Sequence, residues 1–150
     1  MTSLYVWLKF LHLVGLGAFL LAHGVSAGAS FVLRTQAAAA ARGPLLQLSV
    51  RSGAVGYPGL LLLIVTGVWM GFLGPWWRFG WIWAAIAVLV ALMVAMSAMS
   101  VPYHGARDAV KANQDAEIES RLKAARPIAL AVVGTVGLVL LIFLMVFKPF

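Results

Sequence analysis

The chain has 150 residues, 63% of them apolar and 10% charged, against the roughly 45–50% apolar content of soluble domains; with uncharged runs of about 20 residues, that excludes a soluble globular domain and describes an integral membrane protein. The four acids, Asp108, Asp115, Glu117 and Glu119, fall in one short stretch and there is no cysteine, which excludes carboxylate proton relays, di-iron carboxylate sites, iron–sulfur clusters and disulfides. The net charge of +7 sits at the ends of the apolar runs, which is membrane topology and not a nucleic-acid-binding fold.

The first uncharged run, 10–33, is long enough to cross a bilayer, and its helix is expected from about residue 4, behind a Thr2 or Ser3 cap. It exceeds the apolar core of a signal peptide, so the small-residue site Val25-Ser26-Ala27 is read as part of a retained span. The alanine run 37–41 can carry the helix further until Gly43-Pro44 stops it. The second span is expected over 54–75, after a short segment 45–51, with Pro58 in its first turns and Gly74-Pro75 at its end. The third, over 80–104, follows a short outward turn. The connector 105–126 pairs Glu117 with Arg121 and Glu119 with Lys123 at i,i+4 around sparse apolar positions Val110, Ile118 and Leu122, which predicts a short amphipathic helix. Its plain reading is a solvated continuation of span three; its functional reading is a partner's docking surface. The fourth span is expected over 128–147.

Orientation follows from the bases. Arg34, Arg42, Arg51, Arg107, Lys111, Arg121, Lys123 and Arg126 lie on one side, and only Lys9, Arg78 and Lys148 on the other. The positive-inside rule puts the larger group in the cytoplasm and both termini outside, and Trp7, Trp76, Trp77, Trp81 and Trp83 gather at the outer end as an interfacial belt. The expected fold is an all-α, antiparallel four-helix membrane bundle.

The histidines carry any cofactor argument. His12 and His23 share a helix face about 16 Å apart, so one haem iron cannot take both as axial ligands. Counting about 1.5 Å per residue, His23 lies near mid-membrane, His12 near the outer surface and His104 near the inner one, which argues against an intrachain bis-histidine haem. A His–Met pair is easier, with Met93 level with His23 and Met70 or Met145 near the depth of His12; a chlorophyll-type pigment needs only one ligand. Against this stands an interhelical hydrogen bond that only holds the bundle together. Lys9 can pair with a haem propionate or an anionic headgroup, or act as a plain interfacial anchor. Met93, Met96 and Met99 form a helical stripe that packing explains better than copper binding. Gly24-x-x-x-Gly28 and Gly67-x-x-x-Gly71 predict close helix approach.

The opening Leu4-Tyr5-Val6-Trp7-Leu8-Lys9-Phe10-Leu11-His12 resembles the first helix of HemJ-type protoporphyrinogen oxidases and CopD-like copper-resistance proteins. Thr66-Gly67-Val68-Trp69, Gly80-Trp81-Ile82, Arg126-Pro127 and Met145-Val146-Phe147-Lys148-Pro149 look like a related, uncharacterised family of small four-helix bacterial membrane proteins. The resemblance implies a multi-pass protein of the bacterial inner membrane and a haem b ligand at His12, with Lys9 beside it. The enzymes' Leu-Pro-Arg and further Tyr-His are replaced here by Phe31-Val32-Leu33-Arg34, so oxidase activity stays an alternative. No triad or phosphate loop assembles a catalytic set. The sequence therefore reads as a small subunit or accessory protein of a membrane electron-transfer or pigment complex, with its enzyme status open. It would work beside other membrane subunits, holding one haem b or chlorophyll-type pigment at His12 or His23, with Met93 and Lys9 in support; a cofactor-free structural subunit is the other option.

Overall fold

Where no water is available, each backbone N–H and C=O must find its partner within its own segment, and apolar runs do so as helices. The computed structural model describes residues 3–35 and 39–150. It contains α1 (Ser3–Thr35), α2 (Ala39–Leu73), α3 (Gly80–Lys111), α4 (Asp115–Ala124) and α5 (Pro127–Phe147). One 3-10 turn, Trp76–Arg78, joins α2 to α3, and no strand occurs among the described residues. Four of the helices, α1, α2, α3 and α5, are long and apolar enough to cross a membrane.

Two boundaries differ from expectation. α2 is continuous through Pro44 and Pro58, where the sequence predicts a stop at Gly43-Pro44 and a span opening only at 54. Pro44 is the sixth residue of α2, past the first turn, so like Pro58 it removes one backbone bond that the helix does without. The residues after it are held helical by what they bury. Leu46 is 3% exposed and packs with Leu33 and Ala106, while Ser49 and Ser52 bond to Ser26 of α1. The expected extension of α1 over 37–41 falls partly outside the described residues. α3 passes Pro102 and continues to Lys111 because Ala106 and Ala109 are buried. Asn113, in the left-handed region at φ 55°, then turns the chain into α4. That helix carries Asp115 and Glu117 in its first turn and Arg121 and Lys123 in its last, matching its dipole. Pro127 opens α5 at a position where its missing N–H would have had no partner.

α1 packs along α2, α3 along α5, and α4 folds onto α3; the two long pairs meet through α1 and α5 and, to a similar extent, through α2 and α3. Small residues set the α1–α2 distance. A Cβ at Gly59 would fall 2.9 Å from Phe19 N and 3.0 Å from Gly15 O, and one at Gly15 would fall 2.8 Å from Gly59 O. Numbers fall along α2 as they rise along α1: His12 meets Thr66, Ala22 meets Gly56 and Ser26 meets Ser52. Gly24 and Gly28, whose spacing predicts a contact, look into open space, because they lie off the face that meets α2. The tightest apolar cluster, Leu33, Leu46 and Ala106 with Tyr103, Val110 and Leu122 against it, closes the end of the molecule that carries most of the bases.

Replacing Gly59 with valine forces backbone atoms apart and is expected to cost about 1–3 kcal/mol, read as a lowered thermal midpoint in detergent. Gly28→Ala is expected to stay within about 0.5 kcal/mol of wild type.

Candidate functional site

The imidazole of His12 lies in the α1–α2 seam, close to Gly67: a Cβ there would stand 3.0 Å from His12 Cε1. Its Nδ1 is 2.9 Å from the Leu63 carbonyl oxygen and 3.2 Å from Thr66 Oγ1. A carbonyl only accepts, so Nδ1 carries the proton and donates it to Leu63. The Thr66 hydroxyl, 3% exposed as a residue, donates in turn to the Leu62 carbonyl at 2.6 Å. In this tautomer Nε2 keeps a lone pair, and it has no hydrogen-bond partner among the described residues. A backbone carbonyl holding Nδ1–H is the arrangement that orients histidines whose other nitrogen binds a metal.

His23 is placed differently. Its ring stacks on Phe19, with centroids 6.1 Å apart at 17°, and reaches toward α5. A methyl group added at Gly134 would lie 3.0 Å from His23 Nε2 and 3.6 Å from Met96 Cε. The structure thus brings His23 and Met96 of α3 to the same place beside Gly134, while Met93, one turn earlier on the same stripe, is 43% exposed. Lys9 is exposed one turn before His12, and His104 is exposed on α3. His12, His23 and His104 do not converge, and no three of His, Cys, Asp or Glu form a metal-ion site among the described residues.

Sequence reasoning missed the partners of His12 and a serine cluster further along the seam. There, Ser26 Oγ lies 2.8 Å from Ser52 Oγ, and Ser49 donates to Ser26 at 3.1 Å. The signal was available: Ser49, Ser52, Gly56, Gly59, Leu63 and Thr66 recur every three or four residues, one helix face of small and hydroxyl side chains.

At the opposite end from most of the bases, the aromatics form a compact group. Trp76 and Trp81 have centroids 6.0 Å apart, the Lys148 ammonium lies 4.2 Å over the Trp76 ring, and Trp81 N–H donates to the Phe150 carbonyl at 3.2 Å. Lys148 takes up the left-handed conformation at φ 47° to end α5 there.

The model of DUF2269, described as a predicted integral membrane protein family, matches residues 6–149. The chain belongs to this family. The match spans all four candidate membrane helices and both intramembrane histidines. No curated protein and no solved structure matches the chain, so the resemblance to CopD-like and HemJ-type proteins gains no support from comparison. Membership of DUF2269 establishes an integral membrane protein and leaves its chemistry to be argued from the side chains.

Thr66→Val removes one of the two acceptors of His12 and is expected to destabilise the protein by about 0.6–1.7 kcal/mol. His12→Ala also removes the Leu63 bond and the ring, so its loss is expected to be larger. Unfolding titrations in mixed micelles check the order.

Proposed function

We propose that this protein is a small subunit or accessory protein of an inner-membrane electron-transfer or pigment complex, in which His12 gives one axial ligand to a tetrapyrrole, haem b or a chlorophyll-type pigment. The single observation behind this reading is the Nδ1–H bond of His12 to the Leu63 carbonyl, which leaves Nε2 as a fixed, unpartnered lone pair. His12 fits the role better than His23, because a hydrogen bond to Leu63 fixes its tautomer, while the Nε2 of His23 stands toward α5 near Gly134. Lys9, exposed one turn along α1, suits an anionic propionate. When bound, the group would supply one-electron transfer or light absorption; the chain's own part is to hold the imidazole in one tautomer and orientation. The four spans run antiparallel in this reading, with both termini outside and α4 in the cytoplasm, as the distribution of bases requires.

A second reading, a cofactor-free structural subunit, draws on the same ring: with Gly67 against its Cε1 edge, His12 serves as a wedge and hydrogen bond between α1 and α2.

Gently purified protein should show a Soret or chlorophyll-type band that His12→Ala abolishes and His23→Ala retains. A colourless preparation that keeps its partner subunits rejects the cofactor and leaves the structural reading. Because the chain has no cysteine, single cysteines give a clean topology map: labels at the exposed positions Ser120 and Arg78 are expected to react from opposite sides, with Ser120 on the cytoplasmic one.

A further inference from the structure

At the end of the molecule opposite the Trp76–Trp81 group, α1, α2 and α4 enclose a groove of about 380 Å³ lined by Leu33, Arg34, Arg42, Glu119, Leu122 and Lys123, with Ala125 at its edge. Its charge is unbalanced. Three cations face one carboxylate, and that carboxylate is already committed to Lys123, whose ammonium lies 2.8 Å from Glu119 Oε1. Lys123 holds the Glu119 carboxyl below its usual range, first by its hydrogen bond and then by its charge, with Arg42 adding to the effect. Arg34 and Arg42 form no ion pair among the described residues.

The position of the groove matters as much as its charge. Arg34 and Arg42 stand at the adjoining ends of two candidate spans, Ser3–Arg34 and Ala41–Leu73, the depth at which lipid phosphates lie. Leu33 and Leu122 give the groove apolar walls beside the cations and belong to or pack on the best-packed cluster of the fold. Uncompensated guanidinium groups above an apolar wall suit a phosphate ester on a hydrocarbon-bearing molecule better than a freely hydrated anion.

We propose that this groove binds the headgroup of an anionic phospholipid, its phosphate gripped by Arg34 and Arg42 while Glu119 competes for Lys123. The carboxylate acts as a brake: withdrawing it frees the third cation for the phosphate. The inference is independent of any cofactor at His12.

The experiment measures, for the purified full chain in uncharged detergent, native mass-spectrometric retention and thermal shift with phosphatidylglycerol, phosphatidylcholine or inorganic phosphate. Phosphatidylglycerol is expected to bind and stabilise, and the other two not. At about fivefold per arginine, Arg34→Gln and Arg42→Gln should each weaken phosphatidylglycerol binding, and the double variant by about 25-fold. Glu119→Gln should move it the other way, tightening binding by about fivefold. Arg51→Gln, on an exposed base outside the groove, should change nothing. Equal response to phosphatidylcholine, equal response to inorganic phosphate, or an equal loss in Arg51→Gln would each overturn the proposal. Should the double variant fail to fold, Glu119→Gln decides alone, and unchanged or weaker binding there overturns it.

Discussion

The close approach of α1 and α2 at Gly15 and Gly59 is the constraint on which the rest depends. Helices in lipid gain nothing by hiding apolar side chains from one another, so they associate through close packing and polar bonds. This seam supplies both. Glycine and alanine bring the backbones together at its centre, His12 and Thr66 bond across one end, and Ser26, Ser49 and Ser52 bond across the other. Three of these hydroxyls also have a backbone carbonyl to bond: Thr66 has that of Leu62, Ser52 that of Ser49, and Ser26 that of Ser49. A wider spacing would break the bonds that cross the seam, from His12 to Leu63 and from Ser26 to Ser49 and Ser52, and would leave the His12 N–H unpaired in hydrocarbon at a cost of several kcal/mol. The seam is therefore held close by what bonds across it.

The pair formed by α3 and α5 works otherwise. Its contacts are apolar, with Leu92 over Gly137 and Met96 near Gly134, and its polar fastening lies at one end, where Trp81 N–H meets the Phe150 carbonyl and Lys148 covers Trp76. Val90, Val94, Val101, Val136 and Val139 face outward. In water such a surface would drive aggregation; in a bilayer it is the solvated face, and it needs no partner to be stable. The α1–α2 seam, which has to be built with polar bonds, is also where the His12 ring sits.

The all-helical class and the four candidate spans were legible in the sequence because both follow from apolar length, and α4 was legible because its acid-to-base order is local. The start of α2 was not. Pro44 and Gly43 read as a stop under local rules, but the helix there is held by Leu46 and by serines whose partners lie over twenty residues away. The site was legible in kind only. His12 stands out as an ionisable group in an apolar run, yet its tautomer depends on Leu63 and Thr66, which no property of residues near 12 reveals. Gly24 and Gly28 satisfied a spacing rule and look into open space, since the rule names a face without saying which face meets a neighbour. Depth alone puts Met93 level with His23; the methionine beside the Gly134 contact is Met96, one turn further along the same stripe.

The two intramembrane histidines differ in a way that bears on what an imidazole can do where no carboxylate is near. All four acids lie between residues 108 and 119, so neither ring has a counter-ion and each acts through its dipole and its lone pair. His12 spends the N–H on a carbonyl and keeps the lone pair, while His23 spends a face on Phe19 and brings Nε2 to the backbone of α5. Moving His12 would break bonds within the α1–α2 pair; moving His23 would shift that pair against α5. The first ring is thus fixed by its own hairpin whatever the other helices do, and a fixed donor atom is what a ligand requires. The second is coupled to the relative position of the two hairpins, so its surroundings change whenever they slide.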